Sequence, residues 1–214
     1  MANPRQIRPL TRDNLSELPT ACGACTRWEL DAVNSARAER DGTGRVGKAQ
    51  WLSQTLLDWG SCGQLIYSDD ECAGYITYAP PAYLPGLAGF PTAPVAADSV
   101  ALATAYVRPE YRGRGYGRIL VQSAAADISR RGVRALEVVA RENTAGERGS
   151  GCLVPAEFLR AVGFTTVRPH VLTPRLRLDL KSAVSWREDV VEAALERLRG
   201  RRPQLGTVQR QDLN

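Results

Sequence analysis

Between Arg108 and Leu120 the chain reads Arg-Pro-Glu-Tyr-Arg-Gly-Arg-Gly-Tyr-Gly-Arg-Ile-Leu, with glycine at 113, 115 and 117 and arginine at 108, 112, 114 and 118. Glycine lets a backbone come close to an anion, and a guanidinium offers it a charged fork. The stretch is therefore a phosphate cradle, a nucleic-acid tail or a sharp turn. A cradle needs a strand before it and a helix after it, so that free amide N–H groups and the positive end of the helix dipole converge. No Gly-Lys-Ser/Thr follows, which excludes a Walker loop, and the third glycine of a dinucleotide fingerprint would fall at Arg118. An arginine-glycine tail should be unstructured, whereas here Ile119-Leu120-Val121 run straight on into an apolar helical pattern. Two readings remain: a pyrophosphate-binding turn and a structural turn.

Other residues of chemical interest are fewer. Cys22-Gly-Ala-Cys25 is half of a zinc-site spacing, and Cys62 and Cys72 would have to supply the rest. In the hairpin read below, those two sit several residues apart along the strands, and at about 3.3 Å per residue that is too far for one ion. No metal is expected, and small buried thiols are the favoured reading. His170 is the only histidine. A structural role is favoured over a catalytic one.

The elements that must position these residues follow from periodicity. Residues 6–9 read as a first strand. Thr11 or Asp13 caps a short helix through residues 14–18, and a strand is expected at residues 26–30. Val46, Ala49, Leu52, Leu56 and Trp59 fall at helical spacing and end at Gly60. Residues 62–67 and 72–78 flank Ser68-Asp-Asp-Glu71 as a hairpin. Residues 80–97 are apolar but rich in Pro and Gly, which reads as a long ordered loop, either functional or a cover for the sheet. A strand at 100–107 leads into the glycine turn. A helix from about Tyr116 to Arg131 follows, with Ile119, Leu120, Ala124 and Ile128 inward. A strand at 134–139, a polar loop at 142–151, a short helix at 155–162 and a closing strand pair at 165–167 and 176–180 complete the run. Trp186, Val190, Val191, Ala194, Leu195 and Leu198 form a helical stripe that covers the core or makes a homodimer, and the tail from Gly200 is polar and basic.

Composition bounds the function classes. The chain has 214 residues, a formal charge of +5 and five cysteines, and Lys48 and Lys181 are its only lysines. The charge suits an anionic cofactor as well as a nucleic acid. No apolar run reaches the about 18 residues of a membrane span, and the N-terminus has no signal core. A cytoplasmic protein with reduced thiols is expected.

Arg112-x-x-Gly115-x-Gly117, after a strand ending Val107-x-Pro109 and before a helix, resembles the acyl-CoA-binding motif of the GNAT (GCN5-related) N-acetyltransferases. Pro155-Ala-Glu-Phe-Leu-Arg-Ala-Val-Gly-Phe164 is similar to that family's last short helix. The resemblance covers residues 60–180. It implies an α+β fold with a mixed, strongly twisted and splayed sheet and helices on both faces, in an acyltransferase domain at 1–180 followed by an amphipathic helix and tail at 181–214. It implies acetyl-CoA wedged between the strands at 100–107 and 134–139. The backbone of Val107 would pair with the pantetheine arm. The amides of Arg112, Gly113, Arg114, Gly115, Tyr116 and Gly117 would hold the pyrophosphate, and Arg114 and Arg118 would add charge. The acceptor would be an amine of a small molecule or peptide.

The proton-handling half of the family pattern is blank. The usual Glu slot in the strand before the turn holds Ala101, the usual Tyr slot holds Leu159, and the usual Asn slot holds Cys152. Substitute candidates are Asp98, Tyr78, Tyr106, Cys152 and water chains; a thiolate at Cys152 would be favoured by the amides of the last short helix. Two alternatives stay open: a catalytically weak CoA-binding sensor or scaffold, favoured by the blank slots, and an enzyme acting on aminoacyl-tRNA or another nucleic acid, prompted by the arginine excess.

Overall fold

The computed structural model describes residues 5–142 and 152–180. The sheet is built outward from a hairpin. Strands β2 (Gly63–Ser68) and β3 (Glu71–Ala79) are antiparallel and joined by Asp69 and Asp70, with φ of 53° and 63°. Positive φ at both central residues gives a turn whose twist matches that of the strands, and aspartate tolerates the conformation better than most side chains. Strand β1 (Gln6–Pro9) pairs with β2, and β4 (Ser99–Val107) pairs with the far edge of β3. Strands β5 (Ala135–Val139), β6 (Thr165–Arg168) and β7 (Arg175–Asp179) complete a seven-stranded sheet in the order β1-β2-β3-β4-β5-β7-β6. All neighbours are antiparallel except β4 and β5. The sheet is mixed and has helices on both faces, the fold class that the resemblance implies.

The β4–β5 pairing is short. Ser99, Val100 and Ala101 pair with Ala135, Leu136 and Glu137, and among the described residues positions 102–107 of β4 have no strand partner on that side. The register of β4 against β3 slips at Thr77/Tyr78, so that Ala103 is the extra residue of a bulge. A bulge bends its strand and increases the local twist. This one falls two residues after the last β4–β5 pair, and we attribute the divergence of the strands to it.

One face of the sheet carries helices α1 (Thr20–Ala24), α2 (Ala32–Arg40) and α3 (Gly44–Asp58). Trp28, Trp51 and Leu52 pack there with Leu65, Tyr75, Ala101, Ala103 and Val139. The other face carries α4 (Tyr116–Arg130), which buries Leu120, Val121, Ala124, Ala125 and Ile128. Leu120, Val121 and Ile128 each contribute about 1.5–3 kcal/mol by leaving water. Ile119 is only half-buried and Val121 takes the inward place expected for it.

Three expectations for the N-terminal third are corrected. Residues 14–18 form only a single 3-10 turn, Leu15–Glu17, and the cap comes from neither Thr11 nor Asp13: the Asn14 side chain accepts from the Thr11 N–H at 2.8 Å and donates to the Pro9 carbonyl at 2.9 Å. Residues 26–30 are a turn rather than a strand, with the Leu30 N–H donating to the Thr26 carbonyl at 3.1 Å, and Asp31 then caps α2 by accepting from the Asn34 N–H at 2.9 Å. The buried face of α3 is Lys48, Trp51, Leu52 and Thr55, while Val46 is 57% exposed. The reason is Glu29. The turn carries its carboxylate into the core, where it pairs with the Lys48 ammonium. A buried charge is stable only when paired, so this lysine belongs inside.

The loop after β3 is the cover expected as one of its two readings. Tyr83 O accepts from Trp51 Nε1 at 2.7 Å, the Gly86 N–H donates to Trp28 O, and Thr92 Oγ1 donates to Thr173 O at 2.8 Å. The expected loop at 142–151, apart from Glu142, and the helix and tail of 181–214 lie outside the described residues.

Candidate active site

The glycine turn lies where the sequence pattern puts it. After β4 a 3-10 turn, Pro109–Tyr111, leads through an extended Arg112 to Gly113 and Gly115, whose φ angles are 72° and 83°. Only glycine adopts these angles without strain. A Cβ added at either position meets no atom of the described residues within 4 Å, so this face of the turn is open there. Gly115 is the N-cap of α4, and the first bond of the helix runs from the Ile119 N–H to the Gly115 carbonyl at 3.2 Å. The amides of Tyr116, Gly117 and Arg118 therefore have no acceptor inside the helix, and they stand at its positive end.

Gly117 is there for packing: a Cβ would lie 3.0 Å from the Phe158 ring of α5 (Ala156–Ala161). The surrounding arginines are mostly committed to the chain. Arg112 Nε donates to the Val107 carbonyl at 3.0 Å, and Arg5 Nη2 donates to the Arg114 carbonyl at 3.0 Å. Arg118 Nη2 donates to the Ala161 carbonyl at 2.9 Å, so its guanidinium is directed at the end of α5. Arg114 itself is exposed at the turn.

The open edge of β4 leads to this turn. The Arg108 N–H bonds to the Ala73 carbonyl of the strand next door. Backbone groups alternate in direction along a paired strand, so those of Val107 and Ala105 point away from β3 into the splay. The Val107 carbonyl is met there by Arg112, and its N–H is left for another acceptor. Residues 105–107 are half-buried, unlike the first half of the strand.

The structure separates the four catalytic candidates. Asp98 precedes β4 at the end where β4 and β5 are still paired. Its two oxygens accept from Arg177 at 2.9 and 3.0 Å, and this contact holds its carboxyl below the ordinary range. Tyr78 points to the α4 face and donates to Asp127 Oδ2 at 2.8 Å; burial, and then Asp127, push its hydroxyl well above the usual value. Tyr106 stands on the unpaired part of β4, on the opposite face, with its ring 6.0 Å from that of Tyr75 and 5.9 Å from the Arg112 guanidinium. Cys152 lies in the turn before α5 with its Sγ 3.1 Å from that of Cys25. Of the two readings of Cys152, a reactive thiolate and a small residue fitting a tight turn, the structure does not favour the thiolate. The contact with Cys25 and then burial raise its pKa, while the same contact lowers that of Cys25 to about 6. A backbone N–H of Arg27 and the Lys48 ammonium favour charge on Cys25, while burial and Glu29 oppose it.

Ala101 and Leu159 are fully buried apolar positions. Cys22 and Cys25 are half-exposed rather than buried. Cys62 and Cys72 sit far apart along the hairpin, beside Tyr78 and Tyr67. His170 Nδ1 accepts from the Leu172 and Thr173 amides at 3.2 and 3.0 Å, which is a turn-closing role.

The sequence reading missed Glu137. It is paired with Ala101, shares that residue's side of the sheet and is 1% exposed. It accepts from Arg177 Nη1 at 3.0 Å and the Ala96 amide at 3.1 Å, with Arg175 Nε at 3.4 Å. A charged residue in the apolar strand Ala-Leu-Glu-Val-Val is the signal that could have marked it. Its two arginine partners make it a structural anchor of β7 and the covering loop.

A strand that leaves its parallel neighbour and runs into an anion-ready helix start is the architecture of an acyl-CoA-dependent transferase. The acetyltransferase (GNAT) family model matches residues 28–148, more than half of the chain, and the chain belongs to that family. It is an acyltransferase, and its reaction class is acetyl-CoA-dependent acyl transfer. No curated protein matches the chain in sequence. Among solved structures, it is similar to a PaiA N-acetyltransferase from Thermoplasma acidophilum in complex with coenzyme A, at 13% identity and a TM-score of 0.55 over 83% of this chain and 99% of that one. It is also similar to an N-acetyltransferase from Staphylococcus aureus Mu50, at 16% identity and a TM-score of 0.53 over 83% and 99% of the two chains. The loading GNATL domain of CurA from Lyngbya majuscula matches at 12% identity and a TM-score of 0.53 over 84% and 100%. At these identities the likeness is one of fold. Among the described residues no helix is long and apolar enough to cross a membrane.

Proposed function

We propose that the chain transfers the acetyl group of acetyl-CoA to an amine, of a small molecule or a peptide, at the splay between β4 and β5. The observation that carries this reading is the unpaired edge of β4 running into three acceptor-free amides at the start of a 15-residue helix. The pyrophosphate of the cosubstrate would rest on amides from Gly113 to Gly117, with Arg114 adding charge; the Arg112 N–H, expected to join them, donates instead to the Pro109 carbonyl at 3.2 Å. The open faces of Gly113 and Gly115 leave room for it. The Val107 N–H would meet the pantetheine arm as a strand would. Acetyl-CoA supplies the activated acyl group as a thioester.

The chain's own residues must then orient the amine, exclude water and move a proton. Asp98 and Tyr78 are held in structural contacts, by Arg177 and Asp127 respectively. Tyr106 is the candidate that stands on the open edge, and we assign it the role of proton donor to the departing thiolate. Water serves as the route by which the amine loses its proton, since Ala101 and Leu159 offer none.

The test is release of CoA thiol from acetyl-CoA with a panel of small-molecule, peptide N-terminal and lysine amines. Acceptor-dependent thiol release with a mass gain of one acetyl group on the amine is expected. Thiol release with no acetylated amine from any class would contradict the amine assignment. Asp98→Asn and Tyr78→Phe are expected to keep turnover within about threefold, the scale of surface and second-layer changes rather than loss of an acid or base.

A further inference from the structure

Cys25 closes the C-terminus of α1, and Cys152 lies in the turn that enters α5, 127 residues later. Both thiols are half-exposed, while Cys62 and Cys72 are buried. Their sulfurs are 3.1 Å apart. A disulfide needs about 2.05 Å, so the two need to approach by only ~1 Å. Neither residue lies inside a helix. We propose that Cys25 and Cys152 are a reversible redox pair that closes into an intramolecular disulfide on reaction with a low-molecular-weight disulfide. This inference does not depend on the acceptor or on the proton donor of acyl transfer.

The charges around the pair favour Cys25 as the first thiol to react. Cys25 faces the Cys152 thiol, the Lys48 ammonium of α3, the Glu29 carboxylate and the Arg27 backbone N–H, and Cys152 also faces Cys22 and the Arg27 side chain. With its pKa lowered to about 6, Cys25 is mainly thiolate at neutral pH, whereas Cys152 keeps its proton. In the first step the Cys25 sulfur attacks one sulfur of the small disulfide. A mixed disulfide forms, and the other half leaves as a thiolate that takes up a proton. In the second step Cys152 gives up its proton and attacks the Cys25 sulfur, expelling the second small thiol. The two cysteines lose one electron each, and the small disulfide is reduced to two thiols. The product ties α1 to the entrance of α5 beside Tyr75, which Cys22 also contacts.

The experiment uses reduced full-length protein and oxidised glutathione at neutral pH, with thiol titration after denaturation and peptide mass analysis. The wild type should fall from five titratable thiols to three, retain no glutathione and yield one Cys25–Cys152 cross-linked peptide that a dithiol reductant reverses. Cys152→Ser should stop at one glutathione on Cys25. Cys25→Ser should yield no cross-linked peptide to Cys152. A Cys22–Cys25 disulfide, glutathione retained by the wild type, or five surviving thiols would each overturn the proposal. Thermal melting of each variant verifies that it is folded.

Discussion

Gly115→Glu is expected to abolish measurable binding of acetyl-CoA, with a Kd raised at least about 100-fold, the equivalent of about 2.7 kcal/mol. The position is the N-cap of α4, beside the amides assigned to the pyrophosphate. A carboxylate there would meet a like charge at a few ångströms, an interaction of about 4 kcal/mol for unit charges near a protein surface. It would also compete for the amides itself, since carboxylates favour helix N-termini. The substitution has room, because no atom lies within 4 Å of the added Cβ. The remaining cost is the φ of 83°, which is ~1–2 kcal/mol for most side chains. Gly115→Asn controls for that cost, since asparagine tolerates the conformation and adds no charge. Calorimetry with both variants should show Asn binding within about tenfold of wild type, by the same strain estimate. Equal affinity of wild type and Gly115→Glu would remove the turn from the cosubstrate site.

Tyr106→Phe is expected to lower kcat by about 100-fold while leaving acetyl-CoA affinity within about twofold, the pattern of a lost general acid. Amide formation from a thioester expels a thiolate, and donation of a proton to it is worth about 10²–10⁴ in rate. The phenol is the only one of the four candidates whose side chain lies on the unpaired half of β4. Its ring is fixed between Tyr75 and the Arg112 guanidinium, so replacing it by phenylalanine keeps the packing. Steady-state kinetics and calorimetry on the folded variant separate the two effects. A fall in affinity with unchanged kcat would make Tyr106 a binding residue, and no change in either would return the proton to water.

The parts of the fold legible in the sequence are those governed by neighbours along the chain. Ser68-Asp-Asp-Glu71 marks the hairpin because two positive φ angles must fall there. Gly113 and Gly115 mark the turn for the same reason. The α3 stripe was misread because Lys48 is a lysine, and only its partner Glu29, brought in by a turn, makes burial tolerable. Residues 26–30 carry Trp28 and Leu30 in alternation, which is also the pattern of a strand. Periodicity alone cannot tell this from a turn that buries Trp28 and Glu29.

The candidate site divides in the same way. Its anion-binding half is one continuous segment, and the motif carries it. The contacts that tie up its other proton-handling candidates come from distant segments. Asp98 and Arg177 are 79 residues apart, and Cys25 and Cys152 are 127 apart. Nothing local announces that the first pair neutralises a carboxylate or that the second brings two thiols into contact. The same holds for β7, which inserts between β5 and β6 and brings Arg175 and Arg177 to Glu137.

The central claim is that acetyl-CoA lies along the open edge of β4 and ends on the amides at the start of α4. Amide hydrogen–deuterium exchange with and without coenzyme A measures this at the atoms concerned. The account predicts slower exchange on ligand addition at Val107, at residues 113–117 and through the first turn of α4, with β1 and the β2–β3 turn unchanged. Saturating coenzyme A that leaves residues 107–118 unprotected, or that protects a different surface, would contradict it.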